Sequence, residues 1–214
     1  FQYQPFNAVY WFSTGVSLDF GYRSLTPLIA AAKGGNVDLV RALLSQGVDP
    51  NTRTGTTALC AVFHDYYYVS QENITAIVKL LLDAGADPNI MDDQERIPLF
   101  HCHDLETARL LRAKTIDINH TTATGENLLH VACDSFTHSV ELFRYFIDIG
   151  VRKNTLDKHG KTPIHKCCFD YERFRILLDA HSEVTEEIKS TLLSFTDDPV
   201  CRRIVALLEQ RGIL

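Results

Sequence analysis

The chain has 214 residues, of which 45% are hydrophobic and 22% charged, the balance expected of an ordinary folded protein. A net charge of −6 without blocks of Lys or Arg argues against a nucleic-acid-binding protein. Apolar runs such as ALCAVF are much shorter than the roughly 18 residues that span a bilayer. No signal peptide is predicted, although a first residue of Phe leaves open a segment or domain before it.

The chain opens with FQYQPFNAVYWF, which is rich in aromatic residues and contains no charge. We interpret residues 1–19 as an N-terminal aromatic cap whose rings cover the apolar face of the structure that follows. Two alternatives stay open: a segment that binds a partner, and the edge of a missing domain.

Two stretches further on are nearly identical: VRALLSQGVDPN closes at Asn51 and VKLLLDAGADPN closes at Asn89. Aligning the chain on this ending gives five units with a period of about 33 residues. In each, a polar turn leads into a short helix containing Ala or Cys, and a second helix and a polar loop follow. The units are predicted at residues 20–51, 52–89, 90–119, 120–154 and 155–185.

The second helix is clearest in the second unit. Its apolar residues recur with the spacing of one helical face, and Gly85 follows where a left-handed helix stop is expected. Gly47 has the same place in the first unit. Pro residues are expected at the start of three first helices, with Thr26 and Thr162 as N-caps. The helical face comprises Ile74, Ile77, Val78, Leu81 and Leu82, and the prolines are Pro27, Pro98 and Pro163.

The openings of the five units read TPLIAAAKGG at 26–35, TALCAVF at 57–63, IPLFHCH at 97–103, NLLHVAC at 127–133 and TPIHKCC at 162–168. With the closing G-x-D-P-N, they resemble ankyrin repeats, which open Thr-Pro-Leu-His-x-Ala-Ala. The resemblance covers about residues 20–185. It implies an all-α fold: an ankyrin-type helix–turn–helix solenoid with projecting β-turn loops, five repeats and caps. Residues 186–214 are predicted as a C-terminal helical cap, since end units need a covered face.

Three departures from the pattern are visible. The third unit is short and lacks Gly before Asp117, and the fifth has His181 in place of the loop Gly. The second unit carries extra residues, HDYYYVSQEN, between its helices.

Most of the six cysteines fall on the small Ala-Ala positions of the first helix, where helix pairs stack closely. Cys acts there as a small buried hydrophobe. We therefore expect reduced core thiols rather than disulfides, and an intracellular, cytoplasmic protein. His130 and His165 occupy the opening His position, where the resemblance implies a structural role. Cys60 also occupies that position, and the Ala-Ala cysteines are Cys102, Cys133, Cys167 and Cys168.

Two chemical alternatives are weighed against this interpretation. A metal site at His101, Cys102 and His103 with ligands from a later unit lacks the paired short-spaced motifs typical of zinc. A nucleophilic Cys167 with His165 is disfavoured because the two side chains point about 200° apart on one helix. The chain is therefore predicted to be no enzyme and to use no cofactor or metal.

Function is then expected from surface shape. Stacked units form a concave groove, lined by the polar turns and by the exposed ends of the first helices. We predict a scaffold that binds a partner protein or peptide there. The turn candidates are Tyr22, Arg23, Arg53, Asp93, Gln94, Arg96, Glu126, Lys158, His159 and Lys161, and the helix-end candidates are Lys33, Asp134, Phe136, Phe169 and Tyr171.

The run Tyr66, Tyr67 and Tyr68 in the insertion is the most unusual candidate. Tyrosine is enriched at binding hot spots, but the rings could equally pack over a lengthened loop. The cations among the turn candidates favour an acidic or phosphorylated ligand. The alternative function is a targeting or substrate-recruitment module of a larger protein, such as an enzyme subunit or secreted effector.

Overall fold

The computed structural model describes residues 25–65, 67–134 and 139–214. Every regular element in these ranges is helical, and they contain no strand, so the predicted all-α class is confirmed. The chain divides into two compact units between Asp93 and Gln94. The aromatic segment 1–19 lies outside the described residues. The count of five repeats and their boundaries stay predictions.

The described residues of the first compact unit contain two pairs of helices. The first helices, α1 and α3, pack on each other, and the second helices, α2 and α4, do the same. Within each pair, α1 also packs on α2 and α3 on α4, which gives two layers. The bounds are α1 Pro27–Lys33, α2 Val37–Ser45, α3 Ala58–Ala61 and α4 Gln71–Asp83.

The second compact unit also has two layers of its own. The 3₁₀ helix, α6 and α8 stack in chain order as one layer, and α5, α7, α9 and α11 stack as the other, with α10 packed on α11. The bounds are 3₁₀ Pro98–His101, α5 Leu105–Arg112, α6 Leu128–Asp134, α7 Val140–Asp148, α8 Pro163–Lys166, α9 Tyr171–Asp179, α10 Glu186–Ser194 and α11 Pro199–Gln210.

Local signals place the helix starts where the sequence predicts them. The three prolines stand at the first helical positions, and the Thr26 hydroxyl accepts a hydrogen bond from the Ile29 amide at 3.3 Å. At the start of α8, the Thr162 amide donates to Nδ1 of His165 at 3.1 Å. The third unit differs from the others because its first helix is a single 3₁₀ turn.

The seam between neighbouring first helices is built from small buried side chains. Ala31 is 4% exposed, and Ala61 and Ala132 are fully buried. The five stripe residues of α4 are buried as well, at 4% exposure or less. Each helix pair therefore covers its apolar face by packing against the next pair in its unit.

The closing Asn of a repeat explains why the G-x-D-P-N stretch recurs. The Asn51 side chain donates to the Gly85 carbonyl at 3.0 Å and accepts from the Asp87 amide at 2.7 Å. Asn119 likewise accepts from the Arg152 amide at 2.8 Å. The motif thus fastens one closing loop to the next one along the chain.

One cysteine expectation is wrong. Cys133 and Cys167 form a disulfide in the structure, with their Cα atoms 5.5 Å apart. They lie 34 residues apart, and in the aligned openings Cys133 matches Cys168, so the second small position of one repeat meets the first small position of the next. Cys60, Cys102 and Cys168 are free and buried, as predicted, and so is Cys201.

The turns after four of the second helices, α2, α4, α7 and α9, contain a left-handed residue. Gly47 and Gly85 supply it with φ of 80° and 89°, as predicted. His181 adopts the same region in the last repeat, with φ of 63°. A residue with a Cβ carries a cost of about 1–2 kcal/mol in this region.

Replacing Ala31 with Leu tests the seam. We expect a loss of about 1–3 kcal/mol in the free energy of unfolding, because a larger side chain overpacks a close helix contact. Ala30→Leu in the same helix is the control, since Ala30 is exposed and should change stability by less than about 0.5 kcal/mol. Urea unfolding of both variants measures the difference, and equal stabilities would contradict the seam.

Replacing His181 with Gly should stabilise the chain by about 1 kcal/mol, because it removes the left-handed strain from an exposed position. The reverse change, Gly150→Ala, should destabilise it by a similar amount. Gly150 has φ of 91° and open space around its Cα, so strain alone is tested there. Thermal unfolding measures the stability of both variants. A His181→Gly protein with a lower melting temperature than the wild type would contradict the claim that His181 is strained.

Candidate partner-binding surface

The polar turns that precede the first helices are joined edge to edge by backbone hydrogen bonds. In the first unit the Asp93 amide donates to the Gly55 carbonyl at 2.9 Å. In the second unit the Lys158 amide donates to the Thr124 carbonyl, also at 2.9 Å. Neighbouring turns are therefore held in a fixed relation to each other.

Gly125 is needed for this close approach. Its φ is 79°, and a Cβ added there would lie 3.1 Å from the Lys158 amide nitrogen and 3.2 Å from the Cα of Asp157. Asp157 shapes the next turn, because its carboxylate accepts from the amides of His159 at 2.8 Å and Lys161 at 2.9 Å. These residues form the turn and leave recognition to their neighbours.

His130 ties two turns together. Its Nε2 lies 3.0 Å from the Lys161 carbonyl oxygen, which can only accept, so Nε2 carries the proton. Nδ1 is then free to accept from the Asn127 amide at 3.2 Å. Burial lowers the pKa of His130, which keeps the ring neutral in this arrangement. His165 makes the equivalent bond to Thr162, so both histidines have the structural role that the resemblance implies.

Several charged candidates are paired within the chain. Burial raises the pKa of Glu126, but hydrogen bonds from Lys166 and Thr124 outweigh it and the net pKa is lowered. The exposed Gln94, Lys158 and His159 make up the rest of the described turn tips. The cation–carboxylate pairs are Lys33–Asp65 at 3.8 Å, Arg53–Asp93 at 3.1 Å, Lys161–Glu187 and Lys166–Glu126.

The insertion of the second repeat places two tyrosines in solvent. Tyr67 is 76% exposed and Tyr68 is 91% exposed, whereas Phe63 just before them is buried at 3%. The chain turns sharply here, with the Tyr68 amide donating to the Asp65 carbonyl at 2.8 Å. The described tyrosines thus do not pack over the loop. Tyr66 lies outside the described residues.

The insertion is anchored at both ends. Asp65 pairs with Lys33, and Val69 packs against Gly35, where a Cβ would run into the valine side chain. Asn73, at the start of α4, donates from its side chain to the Gly35 carbonyl at 3.2 Å. The two tyrosines are therefore presented on a fixed turn.

A second exposed aromatic group lies in the other compact unit. Phe169 and Phe195 are 55% and 49% exposed and meet edge to face, with ring centroids 5.5 Å apart. Arg203 lies over the Tyr171 ring at 4.1 Å. Phe169 and Tyr171 were predicted as helix-end candidates, but Phe195 was assigned only to the cap. Its place in the break between two amphipathic helices is the sequence signal for its exposure.

The remaining predicted residues are dispersed or undescribed. Asp134 is the last residue of α6, and the half-buried Arg96 begins the approach to the 3₁₀ helix. The structure does not describe Tyr22, Arg23 or Phe136. Because the described candidates fall in two compact units, each group is considered within its own unit.

The chemical alternatives have no site among the described residues. The Cys167 sulfur is bonded to Cys133, so it is not a free nucleophile beside His165. Burial raises the pKa of Cys60 and Cys102 to about 12, so both thiols stay protonated near neutral pH. In the described ranges, no group of three or more His, Cys, Asp or Glu residues could hold a metal ion, and no helix is long and apolar enough to cross a membrane.

Comparison with known proteins identifies the class. A family model described as ankyrin repeats (three copies) matches residues 4–92 and again residues 100–188. The chain therefore belongs to the ankyrin repeat family, whose repeats generally mediate interactions between proteins.

The relatives show how much of a longer protein such a chain can represent. A fowlpox virus protein named for its ankyrin repeats is 27% identical over 187 residues, covering 72% of this chain and 30% of that protein. A second fowlpox virus ankyrin repeat protein is 28% identical over 146 residues, covering 67% of this chain and 74% of its own length. A Dictyostelium discoideum protein named as a serine/threonine-protein kinase is 28% identical over 151 residues, covering 68% of this chain and 14% of its own.

Stability should fall when the pH drops from about 6.5 toward 4. Burial lowers the pKa of His103 from 6.5 to about 4 and lowers that of His130 and His165 as well. The unfolded chain therefore takes up protons before the folded chain does. The stabilisation is complete above the unfolded pKa and is lost as the pH falls toward the folded one.

Urea unfolding at about pH 7.5 and about pH 5 measures this loss. His103→Gln should reduce the difference by about 1 kcal/mol, because it removes the most strongly shifted of the three histidines. His159→Gln, at an exposed turn position, is the control and should keep the wild-type difference. If the difference in unfolding free energy between the two pH values is the same in the His103→Gln protein as in the wild type, His103 does not cause the loss of stability.

Proposed function

We propose that this chain is a recognition module that binds a segment of a partner protein on the face formed by its polar turns and first-helix ends. Stacked repeats are expected to bind their partners on such a face. The proposal depends on one observation above the others: Tyr67 and Tyr68 are 76% and 91% exposed on a turn that is anchored at both ends.

The anchoring makes these rings suitable for binding. A tyrosine offers a large apolar face and a hydroxyl while losing little side-chain entropy on contact. A backbone turn that is held before binding loses less entropy on contact, so more of the contact energy remains as affinity. Asn73 and Val69 hold the turn at its base, whereas the tips of Tyr67 and Tyr68 face water.

An acidic or phosphorylated partner has weaker support than the sequence suggested. Lys33, Arg53 and Lys161 are each paired with a carboxylate of the chain itself. A ligand phosphate would have to compete with these pairs, which are partly exposed and weak. We therefore propose that apolar and hydroxyl contacts from the tyrosines dominate, and acidic segments become one arm of the test.

A targeting or recruitment role within a larger protein is the second candidate. It is favoured by the comparison with the Dictyostelium kinase-named protein, in which the matching region makes up 14% of the length. In that setting the same face would bring a substrate or partner to an activity located elsewhere. The two candidates share the binding step and differ in what the chain is joined to.

The double change Tyr67→Ala, Tyr68→Ala tests the binding face. Peptide segments selected from a displayed library on the wild-type chain, with neutral and acidic pools kept separate, are measured by calorimetry against the variant. We expect affinity to fall at least tenfold, since removing aromatic hot-spot residues typically costs 2 kcal/mol or more each. The melting temperature should stay unchanged, because the rings are already solvated.

Ile116→Ala is the matched control, because Ile116 is 87% exposed and lies in the other compact unit. It should bind every selected segment with wild-type affinity. Equal binding by the tyrosine variant would overturn the proposed face, and a large fall in its melting temperature would show that the rings support the fold.

A further inference from the structure

The Cys133–Cys167 disulfide lies in the second compact unit, and neither the stacking of the helices nor the proposed binding face accounts for it. The two residues come from α6 and from the position directly after α8, helices that pack on each other. Their Cα separation of 5.5 Å lies in the middle of the range that a disulfide can bridge. The pair therefore joins two different small positions of the seam, the second of one repeat and the first of the next.

The neighbouring cysteines show that this pairing is selective. Cys168 directs its sulfur to the Ile164 carbonyl at 3.8 Å, and Cys201 directs its sulfur to the Cys168 carbonyl at 3.5 Å. Both are buried and free. Among these cysteines only Cys133 and Cys167 thus form a disulfide, although Cys168 is adjacent to Cys167 in the chain.

The two cysteines differ in their exposure. Cys167 is fully buried, whereas Cys133 is of intermediate exposure. Of the two residues, Cys133 is therefore the one that a thiol or a disulfide from solution can approach. Thiol–disulfide exchange needs such access, because the attacking sulfur forms a mixed disulfide before the second bond is made.

We propose that Cys133 and Cys167 form a reversible redox staple between two neighbouring repeats, with Cys133 as the point of entry. In the oxidising direction, the Cys133 thiolate attacks a low-molecular-weight disulfide such as glutathione disulfide, whose bond breaks to release one thiolate. The Cys167 thiolate then attacks the Cys133 sulfur and releases the second. Both protein thiols lose a proton, two protein thiols are oxidised to one disulfide, and the small disulfide is reduced to two thiols.

The staple acts on a part of the chain that is already joined by polar contacts. Lys166 pairs with Glu126, and the Asn127 side chain donates to the Arg152 carbonyl at 2.6 Å. These contacts connect the turn that precedes α6 with the end of α8 and with the loop after α7. A covalent link between the two helices would limit their separation when those contacts open, and so stabilise the oxidised form.

The state of the pair is measured on the full chain equilibrated in glutathione buffers from reducing to oxidising. Trapping with a maleimide and mass spectrometry should find six modified thiols at the reducing end and four at the oxidising end, with Cys133 and Cys167 recovered as one linked peptide pair. Reduction without denaturant should lower the melting temperature by about 5–10 °C.

Two variants separate the staple from its surroundings. The double variant Cys133→Ala, Cys167→Ala should melt at the same temperature in reducing and oxidising buffer. Cys168→Ala, at the adjacent seam position, should retain the redox-dependent shift. If either variant fails to fold, the single change Cys133→Ser still tests the point, since it should leave five modified thiols under all conditions.

Three results would overturn the proposal. One is full modification of both cysteines across the whole series of buffers. Another is a bond that reduces only after the chain is unfolded, which would make it a permanent structural link. The third is oxidation that joins Cys168 in place of Cys167.

Discussion

Each repeat of this chain is too small to bury its own apolar face, and the rest of the structure follows from that constraint. α3 and α8 span only four residues each, far fewer than an isolated helix needs in water. They persist because neighbouring helices cover them. Close stacking in turn requires small side chains at the seam, which is why Ala31, Ala61 and Ala132 are buried there. Cysteine is also small, so it too is found at the seam.

Stacking alone would leave the turns loosely placed, and polar links between repeats fix them. The Asn51 side chain bonds two backbone groups of the next closing loop, and His130 bridges its own turn to the Lys161 carbonyl. These bonds use backbone groups and the side chains of Asn51 and His130. The exposed side chains at the turn tips take no part in them. Recognition can therefore change at residues such as Lys158 or Tyr68 while the stacking stays intact.

The sequence predicts features that depend on a residue's own repeat. The buried stripe of α4, the proline starts and the left-handed Gly85 all follow from local spacing and backbone chemistry. Contacts between repeats are harder to predict from the sequence, because they depend on which positions meet after stacking. Arg53 and Asp93 are 40 residues apart, and no local sequence pattern around either residue predicts their ion pair. The disulfide was missed for the same reason. The seam assignment of Cys133 and Cys167 was right, but two small side chains that share a seam at successive repeats also face each other.

The insertion with Tyr67 and Tyr68 shows how a new surface can be added to such a stack. Its extra residues leave the seam at Phe63, which is buried, and return to α4 at Ser70, whose side chain caps that helix. Between these points the chain touches the first repeat at Gly35, where φ is 67° and any Cβ would collide with Val69. A single glycine in one repeat thus makes room for the loop of the next. The added surface is therefore held against the first repeat by a close approach between Val69 and the Gly35 backbone, as the repeats are held against each other by small residues at the seam.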